Sequence, residues 1–363
     1  MFDSIINRVA KKLPEKRIVN GKIVPKILEL LVFIRSLDSK KRIIKQYQLH
    51  MNNKAHNLSS RTLAHLIADV NYATNGKIEK EISQLRKKVL KNKSSNIEIH
   101  SSDIFDTISI NKAISELNSQ GFAVIGNISH LDFFGDICKL KEEPVYSGKQ
   151  WKSNRNSPIS FLDQPNLAED FIWYVDQKSV IENIGIQKFL NDSFWKIIGR
   201  NYLNGACAIQ SIRCWHSYPK NVKEFKTPEN WHIDAGDGFN FIKLFLLLSD
   251  VNEKNGPTQI VPIQKNNLPR KFFVERRFSE REIAKLCKKT GNKVLSATGS
   301  EGTVYIADTR QIHRGTPVIE GHRFIVNFTL ALDDFGSVGG EKYLVDKGKI
   351  QYNLKNSLPC AIY

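Results

Sequence analysis

From residue 208 to residue 332 the chain is cut into short runs of strand-forming residues separated by turn chemistry. No other feature limits the fold as much. The runs are Ala208–Trp215, Trp231–Asp234, Phe241–Leu248, Thr258–Val261, Thr303–Ala307 and Arg323–Leu332, and the Asn255-Gly256-Pro257 turn separates two of them. Many short strands with turns between them predict a sandwich or jelly roll. Hydrophobic residues make up 41% of the 363, which is enough to build a buried core under such sheets.

The rest of the chain reads as helical. Ile108–Ser119 predicts a helix that runs into a strand at Gly121–Ile125, and Glu182–Gly199 predicts a second helix. Residues 1–95 form a helical extension with four expected helices: Phe2–Leu13, closed by Pro14, then Val24–Leu37, Ser60–Val70 and Ile78–Leu90. The polar segment Lys91–Asn96 reads as a linker. The expected organisation is therefore a basic helical extension over 1–95 and a mainly β domain with flanking helices over 96–363.

Charge divides along the same line. The chain carries +17, and residues 1–100 hold 21 Lys and Arg against 8 Asp and Glu, whereas the other 263 hold 33 against 29. The basic field belongs to the extension and suits phosphate, nucleic acid or an anionic lipid surface. A lysine-rich solvated surface is the plainer alternative. Phe2, Ile5, Ile6, Val9 and Leu13 share one helical face, suited to a membrane surface or to packing on the rest of the chain.

The apolar stretch Ile27–Ile34 falls short of the roughly 20 residues a bilayer span needs, and Glu29 interrupts it. A secretory signal pattern is not seen. Five cysteines, Cys138, Cys207, Cys214, Cys287 and Cys360, lack paired spacing and fit a reducing compartment. The expectation is a cytoplasmic protein without a transmembrane segment, with peripheral membrane attachment as an option for the extension.

The chemistry gathers in two places. In Trp231-His232-Ile233-Asp234, strand alternation aims His232 and Asp234 at the same face. His-x-Asp alone is common. The second element lies 81 residues on, where His313 opens His313-Arg314-Gly315-Thr316-Pro317, and Arg323 begins a strand ten residues later. Two histidines and a carboxylate are the facial ligand set of non-heme Fe(II) oxygenases. Three coordination positions stay open, two for a 2-oxo acid and one for O2. Arg323 is the candidate for the far carboxylate of 2-oxoglutarate, because a guanidinium pairs with carboxylate through two parallel hydrogen bonds. Asn327 and Thr329 share the Arg323 face and are candidate partners of the same co-substrate, or else satisfy each other or the backbone.

These pieces resemble the phytanoyl-CoA dioxygenase superfamily. The resemblance rests on Trp231–Asp234, on Lys243–Asn252 followed by Asn255-Gly256-Pro257-Thr258-Gln259-Ile260-Val261-Pro262, on His313–Pro317 with Arg323, and on Gly121–Ile125 after a helix. It covers roughly residues 104–332. It implies a double-stranded β-helix, Fe(II), 2-oxoglutarate and O2, with His232, Asp234 and His313 as iron ligands and Arg323 as the 2-oxoglutarate anchor. Halogenating relatives lack the carboxylate, so Asp234 implies hydroxylation of a C–H bond. The chain departs from the pattern after Val261-Pro262, where Ile263-Gln264-Lys265-Asn266 replaces the usual Gly-Ser-His. The lysine-rich extension has no counterpart there, so acyl-CoA is not implied as substrate.

The expected substrate is a small molecule, a lipid or a saccharide. Several residues are candidates for contacting it. His216 lies on a strand that lines the barrel, Lys243 opens another, and Trp151, Lys152, Arg155 and Trp173 precede the barrel. His322 should face away from Arg323 by strand parity. Two rival readings remain: a nucleic-acid-modifying oxygenase using the basic extension, and a non-catalytic jelly-roll binding module.

Overall fold

The structure is a computed structural model. It describes residues 40–51, 70–71, 74, 77–90, 101–147, 171–219, 229–234, 240–263, 268–269, 272, 277–332, 343–352 and 361–362. The expected helices Phe2–Leu13 and Val24–Leu37, residues 60–69 of the third helix, the linker at 91–96, and Trp151, Lys152 and Arg155 lie outside the described residues. So does Cys360.

Two antiparallel sheets face each other. The larger is built from β1 (Phe122–Asn127), β2 (Val145–Ser147), β3 (Ile172–Val175), β4 (Ala208–Ser217), β5 (Phe241–Leu247), β8 (Thr303–Ala307) and β10 (Arg323–Ala331), in the order β1-β8-β5-β10-β4-β3-β2. The smaller holds β6 (Thr258–Ile260), β7 (Leu295–Ala297) and β9 (His313–Gly315), in the order β7-β6-β9. Isolated bridges from His232 to His313 and from Trp231 to Phe278 extend it beyond β9. A separate pair, β11 (Tyr343–Leu344) with β12 (Ala361–Ile362), is parallel.

The connectivity makes this a double-stranded β-helix. From β4 the chain crosses to the bridge segment at 231–232, returns as β5, and crosses to β6 and β7. It then returns as β8, crosses to β9 and ends as β10, which pairs with both β4 and β5. Every residue of β10 is buried, because both faces of that strand are covered. Phe324, Val326, Phe328 and Leu330 join Ile212, Cys214, Leu244 and Leu246 in the core beneath the helices. Ile325 joins Phe245, Leu247, Tyr305, Val251 and Ile260 in the core between the sheets. A fully buried side chain of this kind contributes about 1.5–3 kcal/mol.

Helices close the outer faces. The larger sheet is backed by α2 (Thr107–Gln120), α3 (Phe134–Cys138), α4 (Gln177–Glu182), α5 (Ile184–Asn191) and α6 (Phe194–Leu203), while α1 is the segment Ile78–Leu90. Asp106 caps α2 by accepting from Ser109 N (2.6 Å), and Gly121 ends it in the left-handed region at φ +73°, where a Cβ would strike the Gln311 side chain. The smaller sheet is backed by α7 (Glu280–Thr290), whose Ser279 and Glu282 form a reciprocal cap. Its Ile283 and Leu286 pack with Trp231, Val261, Phe278 and Ile312.

Several expectations shift in detail. The single helix expected at Glu182–Gly199 is two, α5 and α6, because Asn183 caps α5 through Ile186 N and Asp192 accepts from Phe194 N at the start of α6, while Glu182 ends α4. Trp231–Asp234 is reduced to isolated bridges. A helix at residues 40–51 was not anticipated; its Ile43 and Tyr47 are buried with Val70, Ile78 and Ile82. Among the described residues, no helix is long and apolar enough to cross a membrane.

Candidate metal centre

The site sits between the sheets. The smaller sheet supplies its histidines. His232 and His313 lie opposite each other, each backbone N–H donating to the other's carbonyl at 2.9 Å, and the ring centroids are 4.3 Å apart. Asp234, two residues on, donates its backbone N–H to Thr309 O (2.9 Å). Its Oδ1 is 3.6 Å from His232 Nε2 and its Oδ2 is 3.4 Å from His313 Nε2. One ligand atom from each of the three residues falls within 4.8 Å of the others.

Both imidazoles are oriented from behind. His232 Nδ1 is 2.8 Å from Asn230 O, and His313 Nδ1 is 3.0 Å from Gln311 O. A carbonyl there accepts from Nδ1–H and leaves each Nε2 turned to the shared centre. Burial, helped by the neighbouring His313, pushes the His232 imidazolium down to about 3, so the ring is neutral. For Asp234, burial alone would raise the carboxyl. The Lys243 ammonium and His313 outweigh it and hold the group well below the usual carboxylate range. Two imidazole nitrogens and one carboxylate oxygen fit a divalent first-row metal. Octahedral ligands at metal–nitrogen distances of ~2.0–2.1 Å sit about 3 Å apart, near the 3.4 and 3.6 Å between the Asp234 oxygens and the two rings.

The larger sheet supplies the cations. Lys243 on β5 places Nζ 2.7 Å from Asp234 Oδ2 and 6.0 Å from the Phe241 ring centre. Arg323 on β10 is buried, donates to Gly256 O, and lies 3.4 Å from Ser217 Oγ. Its Nε has no hydrogen-bond partner among the described residues. Burial lowers the guanidinium, and Tyr305, Glu229 and Tyr174 offset part of that. Tyr305 Oη is 2.9 Å from Thr258 Oγ1, and burial pushes its phenol up to about 12. Arg323 is therefore a buried cation beside the Tyr305 and Ser217 hydroxyls, with Nε left over to donate to a carboxylate.

Gly256 explains why that anchor holds. Its φ is +88°, and a Cβ would lie 2.9 Å from both Thr316 O and Val318 Cγ2. Asn255 ties the same turn by accepting from Asn252 N (2.6 Å) and donating to Asp250 O (2.7 Å).

The other expected residues separate. Asn327 donates to Leu244 O (3.4 Å), and Thr329 accepts from Ser211 Oγ (3.0 Å), both on the inner face. His216 faces the helices and stacks on Phe324, with ring centroids 3.6 Å apart. Trp173 is buried in that same outer core. His322 is exposed, stacks over His216 and Tyr218, and turns away from Arg323 as parity requires.

Sequence reasoning missed the supports. The turn from Asp308 to Gln311 delivers the carbonyls that hold Asp234 and His313. Asp308 fixes that turn: it accepts from Arg310 Nε (2.8 Å), a second Arg310 guanidinium nitrogen (2.7 Å) and Tyr202 Oη (2.7 Å), and donates its own N–H to Gly121 O (2.8 Å). Backbone carbonyls leave no trace in a sequence. The spacing Asp308-x-Arg310 just before His313 is the one available signal. On the other face of the sheet, Arg314 lies 4.4 Å over the Trp231 ring and pairs with Glu280 of α7, so the helix grips the strand ends beside both histidines.

No family model and no curated protein sequence matches the chain. Solved structures do. AviO1 from Streptomyces viridochromogenes is 17% identical, covering 62% of this chain and 96% of that one, with a TM-score of 0.39. The epimerase SnoN in complex with Fe3+, alpha ketoglutarate and nogalamycin RO is 9% identical over 62% and 84%, with a TM-score of 0.43. EctD from S. alaskensis with 2-oxoglutarate and 5-hydroxyectoine is 18% identical over 64% and 79%, with a TM-score of 0.43. Similarity at this level transfers no activity, and any functional assignment rests on the site itself.

Proposed function

We propose that this chain is an Fe(II)- and 2-oxoglutarate-dependent oxygenase of the phytanoyl-CoA dioxygenase type, hydroxylating a C–H bond of a small-molecule, lipid or saccharide substrate. The observation that carries the reading is the convergence of His232, His313 and the Asp234 carboxylate within 4.8 Å, together with a buried Arg323 on the facing sheet. Bound there, iron with 2-oxoglutarate supplies the oxidising chemistry that turns O2, 2-oxoglutarate and a C–H bond into succinate, CO2 and an alcohol.

The protein's own residues do the rest. His232, Asp234 and His313 would hold the metal. Arg323 binds the far carboxylate of 2-oxoglutarate, with Ser217, Tyr305 and Thr258 as neighbouring hydroxyls, and its orphaned Nε is a donor ready for that anion. Asn327 and Thr329 share the Arg323 strand face, with Thr329 opposite Lys243, and are further candidates to line the co-substrate. The apolar residues Phe245, Leu247 and Ile325 exclude water from the space between the sheets. Asp234 would supply a third ligand, which favours hydroxylation over halide transfer.

Calorimetry tests the reading directly. 2-Oxoglutarate should bind the wild type only when Mn(II) is present, and the Arg323→Met variant should bind Mn(II) alone. Binding of 2-oxoglutarate that ignores the metal would remove the basis of the proposal.

A further inference from the structure

The ion pair between Lys243 and Asp234 crosses the barrel. Lys243 comes from the larger sheet, opposite Thr329 on β10 and Ala307 on β8, whereas Asp234 follows the smaller sheet. Nζ approaches Asp234 Oδ2 at 2.7 Å, with the two side chains only 13% and 20% exposed. The same oxygen is 3.4 Å from His313 Nε2, so the ammonium stands at the edge of the volume that the three ligands enclose. It lies against the oxygen a metal would attract.

We propose that Lys243 is a positioning residue that serves as a resident counter-ion: it keeps Asp234 aimed at the two histidines while no metal is bound, and it competes with the metal for that carboxylate. The inference rests on reading the site as a metal centre. A largely buried carboxylate is costly without an opposite charge beside it, and Lys243 provides one at 2.7 Å. Loading a dication reverses the sign of the interaction. The ammonium then shares its carboxylate and faces a like charge within a few ångströms, where repulsion in a partly buried setting is strong. A contact that stabilises the metal-free state more than the loaded state weakens metal binding by the difference. Lys243 thus keeps the triad assembled for loading and makes metal occupancy weaker than the three ligands alone would give.

The signs separate this role from simple ligand support. Lys243→Met should lower the melting temperature of the metal-free protein and tighten Mn(II) binding, read by calorimetry, about tenfold or more. The Mn(II)-induced rise in melting temperature should grow accordingly. Lys243→Arg keeps the charge and should stay within about threefold of the wild-type Mn(II) affinity. If Lys243→Met does not accumulate metal-free, production with Mn(II) should rescue it, and failure of that rescue counts against the proposal. Folded Lys243→Met that binds Mn(II) no more tightly than the wild type overturns the counter-ion role and leaves the metal centre standing. Absence of Mn(II) binding in the wild type as well removes the metal centre, and this role with it.

Discussion

His232 and His313 hold each other in place through the main chain: each N–H donates to the other's carbonyl at 2.9 Å, although 81 residues separate them. The bridge gives the two imidazoles a common origin in the smaller sheet, and the carbonyls of Asn230 and Gln311 fix their rotation. Removing either ring should therefore abolish metal binding without unfolding the barrel. Mn(II) affinity of His232→Ala and His313→Ala is expected to fall by about 100-fold or more, with melting temperatures near that of the metal-free wild type. Retained tight Mn(II) binding in either variant would show that the metal sits elsewhere.

Asp308 acts two steps from the metal. It clamps the turn whose Thr309 and Gln311 carbonyls hold Asp234 and His313. Asp308→Asn keeps the shape and loses the charge that binds Arg310, so Mn(II) affinity should drop about tenfold. Tyr202→Phe removes one hydrogen bond to the same carboxylate and should cost less. An Asp308→Asn protein that loses stability yet binds Mn(II) as tightly as before would limit the clamp to folding.

Acid should weaken the metal-free fold through its buried histidines. Burial pushes both His216 and His232 down to about 3, from about 6.5 in the unfolded chain. The unfolded state therefore takes up protons below about pH 6.5 that the folded state refuses, and stability falls as pH drops from there towards about 3. Asp234, held low, adds to the loss only below the ordinary carboxylate range. Chemical denaturation at pH 4 to 7 should show this slope, and His216→Phe, which keeps the stack on Phe324, should reduce it by about one proton. A flat profile would contradict the assignment of neutral rings.

The Arg323 anchor depends on a glycine. Gly256→Ala places a Cβ against Thr316 O and Val318 at φ +88°, and the strain should cost about 1–3 kcal/mol. Because Gly256 O receives the Arg323 guanidinium, the same change should raise the Kd for 2-oxoglutarate several-fold while leaving Mn(II) affinity unaltered. An equal loss of both would place the turn against the metal itself.

The long barrel strands were legible because burial on both faces makes them apolar along most of their length. Phe241–Leu247 and Arg323–Ala331 are covered on both sides and read as unbroken apolar runs with a few inner-face polar residues. His232, Asp234, His313 and Arg323 were legible as residue types at a spacing. Of the smaller sheet, Thr258–Val261 was anticipated, but β7 and β9, with three residues each, were not, being too short for a period to show. Asn183 and Asp192 break one apolar stretch into separate helices through side-chain caps that a periodicity scan passes over. Lys243 was visible as an inward cation, but its partner Asp234 lies on the facing sheet, and the sequence does not encode that distance. In the extension, Ile43 and Tyr47 form a buried i, i+4 pair within a run dominated by Lys and Arg, which masked the helix at 40–51.

The central claim is that these four residues form a working oxygenase site. Succinate formation from 2-oxoglutarate under air, with added Fe(II) and no other substrate, tests it most directly. The account predicts slow turnover in the wild type that requires iron and disappears in His313→Ala. Turnover that survives in His313→Ala, or none in a wild type shown to bind both Mn(II) and 2-oxoglutarate, would contradict it.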